Sequence, residues 1–195
     1  MDLPELLDRL REFDLLLDTD PKFPNVTALL AGETVRGSWW AHAKAHEIHR
    51  VASELRAHPD VLAIQLVSGK ITFIHRPLWM AIFAIGTARE PWQMRGLSRE
   101  ASALLRKSDR EASVMASGDA VRELEARLLV HAVSVHTERG FHRKEVRSWR
   151  TWADSAQLGP VSLTAVEGKT QLESVLARLN KQFGARGTLP WTRTG

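Results

Sequence analysis

The chain has 195 residues, 44% of them hydrophobic and 26% charged, which is ordinary for a globular protein with a buried core and fits one large domain or two small ones. It contains no Cys, which excludes disulfides, thiolate catalysis and Cys-ligated zinc or iron–sulfur centres. The net charge of +4 is unevenly spread: residues 1–20 hold seven acids against two bases, a net of −5, and the remaining +9 suits a polyanionic partner.

In chain order, MDLPELLDRL has acids where a signal peptide needs cations, and the longest apolar runs, near 61–67 and 78–85, fall far short of a membrane span. A cytoplasmic protein with no membrane partner is expected. Leu3, Leu6, Leu7, Leu10, Phe13 and Leu17 recur at helical spacing and predict one acidic helix over 3–18. Pro21 and Pro24 break it, and a short apolar stretch runs from Val26 to Ala31. The segment RGSWWAHAKAHEIHR predicts a second helix, capped by Ser38, ended near Ala57 by Pro59, and buried along Ile48, Val51, Ala52 and Leu55. Two β-rich runs then flank Ser68-Gly69, a two-residue hairpin turn. That turn would set Leu66 opposite Ile71, Ile64 opposite Phe73 and Leu62 opposite His75. Pro77 opens an apolar helix with Trp79, Ile82, Phe83 and Ile85, and Gly86 to Ser98 reads as a loop. Ser98 caps a helix to about Arg110, and REASVMASG reads as a linker. A long helix is predicted from Asp119 to Arg139, another from Phe141 to Ala156, and a last one from a capping box at Thr170–Glu173 to Gly184. The tail ARGTLPWTRTG is basic, with Trp191 as its aromatic anchor.

Helices followed by a hairpin form the pattern of a winged helix. The expected fold is therefore α+β and predominantly helical, with a winged-helix-like module carrying the hairpin at about 61–76 and a helical C-terminal half. In segments this reads as an acidic helix over 1–20, the module over 25–110, a helical region over 117–184 and a basic tail over 185–195. One compact domain is equally compatible.

Three sets of residues could carry chemistry. Arg36, Lys44 and Arg50 flank Trp39 and Trp40, an arrangement in which cations hold phosphates and aromatics stack on bases or wedge between them. Lys70 lies at the hairpin tip, and Arg143, Lys144, Arg147 and Arg150 form a basic row on the predicted helix over 141–156. Together these ten residues point to a nucleic-acid partner, duplex DNA first, with no cofactor. The alternative is a His-ligated zinc or similar divalent ion for a metal-dependent hydrolase, held by His42, His46 and His49 on one helix flank and by His75. The sequence AHEIH is not the zincin motif. His136, Glu138 and His142 form a second histidine group around Gly140. A third possibility is a protein-interaction module using exposed Trp and basic helices. Dinucleotide and P-loop fingerprints and the nucleophile elbow are missing, and no catalytic set stands out.

The stretches GSWWAHAKAHEI, SGKITFIHRPLW with AREPWQMRGLS, and LLVHAVSVHTERGFHRKEVRSW together resemble a set of uncharacterised bacterial proteins. More remotely, the helix–hairpin arrangement and the Trp/His-rich helix resemble winged-helix DNA glycosylases of the AlkZ (YcaQ) type, which excise alkylated or crosslinked bases. That resemblance implies a winged-helix fold and DNA contact linked to repair. Those glycosylases carry a catalytic Gln-apolar-Asp or Gln-apolar-Gln tripeptide. Gln65-Leu66-Val67 and Gln93-Met94-Arg95 keep the Gln but lack the last residue, so the catalytic role is not carried over.

Overall fold

The computed structural model describes residues 1–136, 142–160 and 162–192. The elements run α1 Leu3–Phe13, β1 Leu15–Leu17, α2 Val26–Ala31, α3 Ala45–Ala57, β2 Val61–Gln65, β3 Ile71–His75, α4 Trp79–Ala88 and α5 Pro91–Met94. They continue with α6 Arg99–Ser108, β4 Val114–Ala116, α7 Asp119–Ala126, β5 His131–His136, β6 His142–Arg147, α8 Trp149–Ser155 and α9 Ala165–Phe183. The protein is α+β and predominantly helical. Among the described residues no helix is long and apolar enough to cross a membrane. Contacts divide the chain into two units, Met1–Trp79 with Thr170–Gly195, and Met80–Lys169.

In the first unit α1 is shorter than the apolar spacing predicts. Asp14 caps it at φ 67°, a left-handed conformation that Asp tolerates, and the chain turns straight into β1. Leu15, Leu16 and Leu17 are all buried, because β1 pairs with β3 and is covered on both faces. Three consecutive Leu fit a covered strand as well as a helix end, and spacing alone does not separate them. The sheet order is β1-β3-β2, antiparallel throughout.

The hairpin β2–β3 exists but in a different register from the one a two-residue turn would set. Gln65 sits opposite Ile71, Ala63 opposite Phe73 and Val61 opposite His75. The connection spans Leu66–Lys70, with Ser68 at φ 53° and Gly69 at φ 74°. Thr72 Oγ1 accepts the Val67 amide at 3.1 Å and helps fix this wider loop. The shift by one residue moves every cross-strand partner. Thr72, Phe73 and Ile74 are all fully buried, so the middle of β3 is covered on both faces, while Ile71 at its start is exposed.

The predicted helix over 38–57 is also divided. Trp39–Ala41 forms a single 3₁₀ turn, His42 is extended, and α3 begins only at Ala45. Its buried stripe is Ile48, Val51 and Leu55, as the spacing predicts. Leu172, Leu176, Leu179 and Leu189 complete the core of this unit. The tail anchor is real: Trp191 Nε1 donates to Glu173 Oε1 at 2.6 Å.

The second unit departs further from the sequence reading. The predicted linker contains β4, and α7 ends at Ala126 rather than near Arg139. Beyond α7 the chain forms the hairpin β5–β6, in the sheet order β4-β6-β5. The expected helical C-terminal half therefore contains a three-stranded sheet. The predicted helix over 141–156 is a strand followed by the short α8, with Ser148 as N-cap accepting the Thr151 amide. Ala101, Leu105, Val121, Leu124, Leu129, Val130 and Val146 form the core under this sheet. The capping box of α9 lies at Thr164 and Glu167, not at Thr170 and Glu173. Each sheet pairs its first strand with its third and its third with its second, so the two units share a strand order that no sequence repeat announces.

Candidate nucleic-acid interface

The Trp-Trp-His stretch forms a defined surface feature of the first unit. Gly37 turns the chain at φ 82°, where a side chain would be strained, and the 3₁₀ turn then brings Trp39 and Trp40 together. Their rings stack 4.1 Å apart at 22°. His49, from the second turn of α3, tilts against Trp40 at 5.4 Å and lies 6.4 Å from Trp39. Trp40 nevertheless remains 64% exposed.

Beside this stack, Lys44 Nζ donates to the Ala31 carbonyl at 3.1 Å, a cation satisfying the C-terminal end of α2. His42 Nδ1 accepts the Lys44 amide at 3.1 Å. That leaves Nε2 as the protonated nitrogen, 3.1 Å from Glu33 Oε1. The outward face of α3 exposes His46, His49, Arg50 and Ser53. Arg50 is paired with Glu54 at 2.8 Å along the same helix. Arg56 lies 3.7 Å from Asp18 and covers the Phe73 ring at 5.6 Å. Burial raises the Asp18 carboxyl above its ordinary value, and the Arg56 charge opposes that rise. Arg36 is exposed.

At the hairpin tip Lys70 is paired with Asp20 at 2.7 Å. Burial pushes Asp20 up, but hydrogen bonds from Lys70 and from the Phe23 and Lys22 amides outweigh it and hold the carboxyl below its ordinary value. The tip is also tied down by Ser68, whose amide donates to the Thr188 carbonyl at 2.8 Å and whose Oγ accepts the Thr188 amide at 3.2 Å.

Arg143, Lys144, Arg147 and Arg150 do not form one helical row. Arg143 and Arg147 share one face of β6, Lys144 points to the other, and Arg150 belongs to α8. A spacing of four places two residues on one face of a strand as well as of a helix, which is why the row misleads. Lys144 is paired with Glu125 at 2.7 Å and Arg147 with Glu145 at 2.8 Å. Arg143 reaches the Met115 carbonyl at 3.4 Å. Arg150 lines a cleft of about 470 Å³ with Thr87, Arg89, Asp109, Ser148 and Asp154. Arg89 grips Asp109 through both carboxylate oxygens at 2.6 Å.

The histidines proposed for a metal are differently engaged: His42 with Glu33, His49 with the tryptophans, and His75 at the end of β3 opposite Val61. Burial holds His75 below its ordinary pKa, with Arg11 adding to the shift and Asp14 and Asp60 opposing it. Among the described residues no group of three or more His, Asp or Glu side chains is placed to hold one ion. Glu138 and the side chains of His136 and His142 lie outside the described residues.

The Arg89–Asp109 cleft is absent from the sequence reading. The helix predicted from Asp119 would put His131 or Ala132 on its inner face; His131 instead opens β5, with its ring 5.9 Å from Trp149 and 5.8 Å from Trp152. Comparison with known protein families, with curated proteins and with solved structures finds no match for this chain.

Proposed function

We propose that the protein binds nucleic acid, duplex DNA first, through its first unit. The order α1-β1-α2-α3-β2-β3, with β1 beside β3, supports this reading, because it is compatible with a winged-helix module. In such modules the helix before the hairpin enters the major groove and the hairpin loop lies on the backbone. The observation that carries the reading is that α3 holds this position and buries only Ile48, Val51 and Leu55. Its free face offers His46, His49 and Arg50, with Arg36 and Lys44 just before it. Arg36, Lys44 and Arg50 take the phosphates, and Lys70 lies near the backbone at the hairpin tip. The reading carries a cytoplasmic location with it.

The test is a combined Arg36→Ala, Lys44→Ala, Arg50→Ala variant titrated onto a labelled duplex. Three lost phosphate contacts should weaken binding at least ~10-fold at about 50 mM salt and flatten the salt slope by roughly three. Unchanged affinity removes these residues from the interface.

One observation favours a second reading, a protein-interaction module. Arg50, Lys70, Lys144 and Arg147 already have carboxylate partners, which leaves fewer cations ready for phosphate. That reading predicts no duplex binding even at about 50 mM salt, where phosphate contacts are strongest.

A further inference from the structure

We infer that Trp40 is a stacking platform for an unpaired nucleobase, so that the preferred ligand is DNA presenting one: a bulge or a single-stranded stretch. The inference rests on the reading of the first unit as a nucleic-acid binder and names the form of nucleic acid it selects.

Trp40 is the exception among seven tryptophans. Trp79, Trp149 and Trp152 are buried, and Trp39, Trp92 and Trp191 are partly covered, whereas Trp40 is 64% exposed. Its exposure is not that of a loose side chain. Trp39 covers one face at 4.1 Å, and His49 braces it at 5.4 Å from the α3 side. The indole plane is therefore set before any ligand arrives, which lowers the ordering cost of binding. An aromatic surface held open in this way accepts any base, because every base has a π-face.

Charge complementarity selects the occupant. Arg36 and Lys44 lie within four positions of Trp40 in the chain, and Arg50 follows on α3 one residue after His49. Among carboxylates, Glu33 faces His42, Glu54 faces Arg50, and Glu47 stands exposed in the first turn of α3. A base on Trp40 would carry its phosphates past these cations, a pairing of stack and charge that suits a polyanion with exposed rings. An intact duplex offers the platform little, because each base already has neighbours on both faces. A bulged or single-stranded base has a face free.

The experiment uses the full chain and three labelled DNA probes of one sequence: an intact duplex, the same duplex with a one-nucleotide bulge, and the single strand. Fluorescence anisotropy at about 50 mM salt, where phosphate contacts are strong, is read for the wild type, Trp40→Ala, Trp40→Leu and Trp40→Phe. The wild type should bind bulge and single strand more tightly than intact duplex. Trp40→Ala should lose about 5- to 150-fold on those two probes, the range that base–aromatic stacking spans. On the intact duplex the loss should be much smaller than on the other two probes. Trp40→Phe should keep most of the preference, and Trp40→Leu should lose it, which separates stacking from mere apolar bulk. Equal wild-type affinity for the three probes overturns the stacking inference and leaves the duplex reading standing. A uniform loss in Trp40→Ala, or none, overturns it as well. No binding to any probe sinks both.

Discussion

At the scale of single residues, His131 is the most constrained titratable group among those described. Its Nδ1 is buried without a hydrogen-bond partner. Burial against Trp149 and Trp152 lowers its pKa to about 4, Arg147 adds to the shift, and Glu145 opposes it. The folded protein thus refuses a proton that the unfolded chain accepts from pH 6.5 downward. Stability is unaffected above pH 6.5, falls as the pH drops toward 4, and levels off below that. The cost between pH 7.5 and 4.5 should be on the order of 2–3 kcal/mol. Urea unfolding at both values measures it. His131→Phe should shrink the pH-dependent loss by that amount, with little cost at pH 7.5, because it also removes an unsatisfied polar atom. An identical pH dependence in wild type and variant contradicts this account of the site.

At the scale of elements, the sequence was readable where local signals agreed with tertiary cover. As predicted, Ser98 caps α6, accepting the Ala101 amide, and Ala101 and Leu105 lie in its buried stripe. The buried face of α3 is equally legible. The β5–β6 hairpin was not, because Arg143, Arg147 and Arg150 satisfy a helical period while Val133 and Val135 give only a short β-branched signal. Partners distant in the chain were also invisible. Asp20 lies far from Lys70, and Glu125 from Lys144, yet each pairing decides whether a cation is available to phosphate. Which tryptophan stays exposed depends in the same way on what packs over it. Asn25 shows how much one residue can hold in the joint between β1 and α2. Its Oδ1 accepts the Ala28 amide at 2.8 Å, and its Nδ2 donates to the Asp20 and Phe23 carbonyls at 2.8 and 2.9 Å. It is only 6% exposed, so Asn25→Ala should cost about 2–3 kcal/mol, visible as a lower urea midpoint. An unchanged midpoint would mean that the Asp20–Asn25 turn is held by other contacts.

At the scale of the whole molecule, the first unit closes only with a segment from the far end of the chain. Leu172, Leu176, Leu179 and Leu189 are each at most 5% exposed. Arg178 reaches Asp14 at 2.7 Å, and Phe183 meets Phe13 edge-on at 5.4 Å. Removing residues 170–195 should therefore unfold this unit, since each large core side chain contributes about 2–5 kcal/mol and domains are stable by only ~5–15 kcal/mol. Amide hydrogen exchange would show it as lost protection in α1 and α3, and retained protection there would contradict the assignment. The functional reading rests on this first unit alone. It is tested most directly by fluorescence anisotropy of a labelled duplex titrated with the full protein at about 50 and 200 mM salt. Three or four phosphate contacts predict an affinity loss of roughly 40- to 150-fold across that range. No binding at the lower salt, or binding that ignores salt, would contradict it.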